Sequence, residues 1–253
     1  MKGPHGTKSV NLSDYEKNVN PDSVNSYGVP EGTSQCAIDF LATIPELPTP
    51  SYTGQVDSHP YAVAPLRHGA WAIAEAGGND ILKVSRKGHI STLSVLPPQP
   101  HTFTAAEAAG MGAPDCLVGV TFAFEPVPTD VEVGRKGWLY VSTLPGGPEG
   151  PALGARGSVY KVNPWTGAAH LVATGFLGAT NLAIDHKGSI YVTELFGGQV
   201  SVIRHGKVKP YVSIDSPLSI ESSGRYLYVG TLVTLGPTGP EGTGSIVKIS
   251  RRH

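Results

Sequence analysis

The sequence predicts an all-β fold, a β-propeller of four-stranded antiparallel blades, and three observations carry that expectation. A strand–turn–strand pattern recurs four times along the chain. Glycines mark the turns of each copy, and runs rich in Val, Ile and Tyr fill the strands between them. Gly 32 and Pro 22 together exceed a fifth of the 253 residues beside a hydrophobic content of 40%, the balance of a turn-rich β protein rather than a low-complexity one.

The four copies occupy residues 59–96, 127–144 with 157–176, 178–214, and 216–232 with 244–253. Their turns fall at Arg86-Lys87-Gly88, Arg135-Lys136-Gly137, His186-Lys187-Gly188 and Gly206-Lys207, where glycine supplies the positive φ that hairpins favour. A unit of four short antiparallel strands is a propeller blade. The chain therefore reads as one domain, 1–253, with blades at 59–97, 126–176, 177–214 and 215–253. Residues 1–58 read as an isolated strand followed by a long loop. The fourth copy has three strands, and Thr7–Leu12 is the candidate for its fourth. Pairing that run with Val247–Ser250 would close a ring of four blades and protect a sheet edge. The rival is an open arc whose flanks a dimer would cover.

Charge excludes some partners. Lys+Arg 19 against Asp+Glu 20 leaves a formal net charge of -1, which gives no electrostatic reason to bind nucleic acid or an anionic membrane. No apolar run approaches the roughly 18 residues of a membrane span. The N-terminus lacks the apolar core of a signal peptide.

In a propeller the first strand of each blade lines the central channel, and the strand 2-to-3 and 4-to-1 loops share one mouth. Alignment of the copies places Tyr61, Thr129, Thr180 and Leu218 one position after the blade opening, and Ala62, Asp130, Asn181 and Ser219 two positions after it. Glu75, Thr143, Glu194 and Thr231 stand at the ends of the second strands. Glu75, Asp130, Asn181 and Glu194 thus form an oxygen-rich candidate metal set, with Thr129, Thr180 and the rim residue His59 as further ligand-binding candidates. Hard oxygen donors suit Ca²⁺ or Mg²⁺. The competing reading is polar residues that hydrate the channel and satisfy backbone groups. No HExxH, GxSxG or P-loop pattern is present, and His89, His186 and His205 fall in or beside turns. Cys36 and Cys116 lie in connections expected on the same face of neighbouring blades. That placement predicts a disulfide and an oxidising compartment, against two free thiols in a reducing one.

The stretches VDSHPYAVAP, WAIAEAGGNDILKV, STLSVLPPQP, FEPVPTDVEVG, LYVSTLPGGPEGPALGARGSVYKV and GFLGATNLAI resemble the ScyD/ScyE family of bacterial propellers, related to NHL-repeat proteins. The resemblance covers residues 7–253 and implies an exported or otherwise extracytoplasmic propeller of about six blades. Against that pattern the chain lacks a signal peptide and the first blades, so it reads as an N-terminally shortened member. Leu12-Ser13-Asp14-Tyr15-Glu16 looks like the end of an early family blade. The candidate metal set also resembles, loosely, the carboxylate and amide cluster of gluconolactonase-like propellers. Two functions stay open on the sequence. One is a binding propeller of unknown small-molecule or protein ligand, with loops 17–57 and 97–125 over the mouth. The other is a metal-assisted hydrolase or lyase of the gluconolactonase-like type.

Overall fold

The computed structural model describes residues 9–47, 50–148, 150–232, 234–236, 239–241 and 243–251. Helix α1 (Leu12–Val19) and strand β1 (Ser26–Gly28) precede helix α2 (Gln35–Leu41) and strand β2 (Ser51–Thr53). Blade 1 consists of β3 (Pro60–Pro65), β4 (Trp71–Glu75), β5 (Asp80–Val84) and β6 (Ile90–Val95). Strand β7 (Gln99–Thr102), helix α3 (Ala105–Gly110) and strand β8 (Thr121–Phe124) come next. Blade 2 is β9 (Pro128–Val133), β10 (Leu139–Thr143), β11 (Gly157–Val162) and β12 (Ala169–Phe176). Blade 3 is β13 (Ala179–Ile184), β14 (Ile190–Glu194), β15 (Gln199–Arg204) and β16 (Lys207–Ser213). Strands β17 (Pro217–Ser223) and β18 (Tyr226–Thr231) open blade 4, a separate hairpin of β19 (Thr234–Gly236) and β20 (Gly239–Glu241) follows, and β21 (Ile246–Ser250) returns to the blade.

Each of blades 1–3 is a four-stranded sheet in chain order, and β17–β18–β21 make a three-stranded sheet. The first strands pack in one row, β3 on β9, β9 on β13 and β13 on β17, as the inner strands of a propeller do. Alternation along the strands drives this stacking, because each blade turns one apolar face toward the next. Ala64, Ala72, Ala74 and Ile81 of blade 1 meet Val131, Leu139 and Val141 of blade 2. Tyr191, Val200 and Val202 of blade 3 meet Ile220, Leu227 and Val229 of blade 4. The basic turns close with glycine at positive φ, Gly137 at 79° and Gly188 at 88°.

Three expectations are corrected. The segments read as long loops are folded: β2, β1, β8 and β7 form a four-stranded sheet of their own, a fifth sheet beside those of the four blades. With α2 and α3 that sheet encloses its own core of Val29, Leu41, Phe103, Leu117, Phe122 and Phe124. The strands are three or four residues long and pair across the chain (Gly28 opposite Ala123), so local periodicity could not reveal them. Second, Leu12–Glu16 lies in α1 rather than at the end of a blade. Asn11 caps the helix by accepting from the Asp14 N–H, and Asn20 ends it in the left-handed region. Third, the fourth-strand reading of Thr7–Leu12 falls partly outside the described residues, while Leu12 is helical. The described neighbour of β21 is β18.

The expected disulfide is present. Cys36 and Cys116 are bridged with Cα atoms 6.3 Å apart, and the bridge joins α2 to the turn after α3, inside the fifth sheet's module. Among the described residues no helix is long and apolar enough to cross a membrane.

Candidate functional site

The channel residues are shaped by a recurrent irregularity. In all four blades the register between first and second strands shifts one position after the opening residue, at Tyr61, Thr129, Thr180 and Leu218. A bulge of this kind re-aims side chains. Here it turns Thr129 and Thr180 toward the next blade. The Thr129 hydroxyl donates to the Ala179 carbonyl at 2.8 Å, and the Thr180 hydroxyl donates to the Leu218 carbonyl at 2.8 Å. The following residues complete the pattern. Asp130 Oδ2 accepts the Leu182 N–H at 2.9 Å, and Asn181 Oδ1 accepts the Ile220 N–H at 2.7 Å. The side chains proposed from the sequence as ligands therefore fasten blade 2 to blade 3 and blade 3 to blade 4. Burial pushes the Asp130 carboxyl up to about 6 against the Leu182 and Val131 N–H donors, and burial beside Asp130 takes Glu132 to about 7.

Glu75 and Glu194 take equivalent places at the ends of β4 and β14 and hold the loops of the mouth. Glu75 accepts from the Gly78 N–H at 2.8 Å and the Ser58 hydroxyl at 3.0 Å. Glu194 accepts from the Leu177 N–H at 2.8 Å, from Gln199 at 2.9 Å and from the Ser201 hydroxyl. His59 is exposed and pairs with Asp57 at 3.2 Å. Among the described residues, no three His, Cys, Asp or Glu side chains stand ready to share one ion. Glu75, Asp130, Asn181 and Glu194 thus each hold their own backbone or side-chain partners.

A cleft absent from the sequence-based expectations opens on the opposite face, between the turns of blades 3 and 4. It has a volume of about 400 Å³, and Lys187, Arg204, His205, Arg225 and Arg251 stand around Asp185 and Tyr191. Its floor is rigid. Asp185 accepts the N–H groups of Lys187 (2.8 Å) and Ser189 (2.9 Å) and pairs with Arg251 at 3.0 Å. Burial pushes that carboxyl up, but the Ser189 and Lys187 donors with Arg251 outweigh it and hold it below the usual range. Arg204 donates to the Tyr191 hydroxyl at 3.0 Å, and Arg225 lies 5.1 Å from the centre of the Tyr226 ring. The signal in the sequence is the basic turn repeated on one edge of blades 1 to 3, read there only as turn chemistry.

The fold and its row of inner strands define a β-propeller. No protein-family model matches the chain, and no curated protein matches it. Solved structures do. A catalytically inactive virginiamycin B lyase from Staphylococcus aureus with quinupristin is 14% identical, with 79% of this chain covering 58% of that one at a TM-score of 0.48. Regucalcin from Agrobacterium tumefaciens, a calcium-binding protein, is 11% identical over 77% of this chain and 62% of its own, at 0.50. A gluconolactonase from Xanthomonas campestris is 16% identical over 72% and 60%, at 0.50. The chain spans less than two thirds of the length of each. These likenesses concern the fold.

Proposed function

We propose that the chain is an exported binding propeller of the ScyD/ScyE kind that takes a small anionic ligand in the cleft between blades 3 and 4. One observation carries this reading: Lys187, Arg204, Arg225 and Arg251 line a cavity of about 400 Å³. That volume lies in the range of small-molecule sites. Guanidinium groups recognise carboxylate, sulfate and phosphate oxygens through paired N–H donors. The mouth supports a binding role rather than a hydrolytic one, because its carboxylates are spent on backbone N–H groups and serine hydroxyls. The disulfide supports export, since such bridges persist in oxidising compartments.

Calorimetric titration with inorganic pyrophosphate and with sulfate tests the proposal. Lys187→Glu combined with Arg225→Glu should weaken binding at least tenfold, since a charged hydrogen bond contributes roughly 1.5–3 kcal/mol. Wild-type affinity surviving that double reversal would contradict it.

A further inference from the structure

Helix α1 lies on the face of blade 1 that points away from blade 2. Leu12 and Tyr15 pack on Ile73, Leu82 and Val84, and the Tyr15 hydroxyl accepts the Thr92 N–H at 2.8 Å. Leu12, Tyr15 and Glu16 share one helix face by their i, i+3, i+4 spacing. Glu16 is therefore carried under the helix with the apolar pair, and it is 1% exposed. On the blade, Glu75 and Asp80 are direct cross-strand partners at the β4–β5 turn, so their Cβ atoms are about 5 Å apart. They sit on the same face as Ile73 and Leu82, by the alternation of the strand. Asp22, in the turn after α1, completes the group and is fully buried.

Asp22 Oδ2 accepts from Asn79 at 2.9 Å and from Tyr27 at 3.2 Å, and Glu75 holds Gly78 and Ser58, but Glu16 and Asp80 lack the partners that burial demands. Both oxygens of Glu16, both of Asp80 and Oδ1 of Asp22 make no hydrogen bond, although Asp80 is 0% exposed. The Asp57 N–H faces Glu16 without good hydrogen-bond geometry. Among the described residues, the charged groups that act on Glu16, Glu75 and Asp80 are carboxylates. The backbone leaves room for the carboxylates. A Cβ on Gly78 would stand 3.2 Å from Glu16 Oε2 and 3.5 Å from Glu75 Oε2, and one on Gly54 would collide with the Asp22 carboxylate. Buried like charges in direct opposition are destabilising, and unpaired buried oxygens cost more still.

We infer that Glu16, Asp22, Glu75 and Asp80 form a Ca²⁺ site that fastens α1 to blade 1. An all-oxygen set rich in carboxylates selects a hard cation, and Ca²⁺ accepts the irregular, many-oxygen coordination that Mg²⁺ resists. The side chains are not yet gathered at ligand distance. The oxygens of Glu16 and Asp80 hold no other bond, so rotation of these two side chains is the movement that would close the set on the ion. This site shares Glu75 with the channel set but none of Asp130, Asn181 and Glu194, and it is separate from the basic cleft.

The test is thermal melting of the whole chain in EDTA and then in millimolar CaCl₂, with MgCl₂ as the comparison. CaCl₂ should raise the melting temperature, because an ion that binds only the folded state stabilises it. Asp80→Asn and Glu16→Gln should each abolish that rise. In EDTA, Asp80→Asn should melt no lower than wild type, since it removes a buried charge without changing shape. A wild type indifferent to CaCl₂ would overturn the inference, as would a rise that persists in both variants. Loss of the rise in Glu194→Gln but not in Asp80→Asn would move the ion to the mouth and equally overturn it.

Discussion

At the scale of single residues, Asp130 and Asn181 show how one position serves the whole fold. The innermost strand of a blade has a free edge, and its N–H groups must find acceptors away from water. Asp130 and Asn181 supply them to the next blade in the same register. Blade 1 carries Ala62 at that position and has no such bond; Asn79 instead accepts the Val127 N–H at 3.1 Å on the way into blade 2. Asn181→Ala should therefore destabilise the protein by roughly 1–3 kcal/mol, the cost of leaving a buried N–H unsatisfied. Chemical denaturation checks it: Ser219→Ala, the equivalent position of the last blade, should cost less. Equal losses would show that Asn181 does no more than fill space. The sequence alignment placed these residues correctly along the strands. Their partners were hidden, because a side chain that bonds the backbone of the next blade has the same residue type as one that binds an ion.

At the scale of elements, legibility followed length and locality. Strands of five to eight residues with a glycine turn, such as β13–β14 and β15–β16, are written in local alternation and turn chemistry. The fifth sheet is not, because β1 and β2 are three residues each and β1 joins β8 from far along the chain. What the sequence did offer there was the cysteine pair, whose bridge closes a separation of 80 residues. Such a loop is worth up to about 4–5 kcal/mol in the chain-entropy model. Reduction, or Cys36→Ser with Cys116→Ser, should loosen α2, α3 and the fifth sheet first. Hydrogen exchange should show faster exchange at Leu41, Phe103 and Phe122 than at Val141 and Val192 of the blades. Uniform acceleration across both groups would mean that module and blades open as one unit.

At the scale of the whole molecule, the net charge of -1 conceals a division between two faces. The strand 1-to-2 and 3-to-4 turns of the blades share one edge by topology, and they carry Arg86, Lys87, Arg135, Lys136, Lys187, His205 and Arg225. Glu16, Asp22, Glu75, Asp80 and Glu194 gather toward the other. A bulk count averages the two to nothing, so composition could announce neither the proposed anion cleft nor the proposed cation site. On the reading proposed above, the acidic side consolidates the fold and the cleft between blades 3 and 4 recognises the ligand. Amide chemical-shift mapping of the isotopically labelled protein during titration with inorganic pyrophosphate tests that division most directly. The account predicts saturable shifts at Lys187, Gly188, Ser189 and Arg225, with Thr129, Asp130, Thr180 and Asn181 unmoved. Shifts confined to Thr129, Asp130, Thr180 and Asn181 would contradict it and return the ligand to the mouth of the channel.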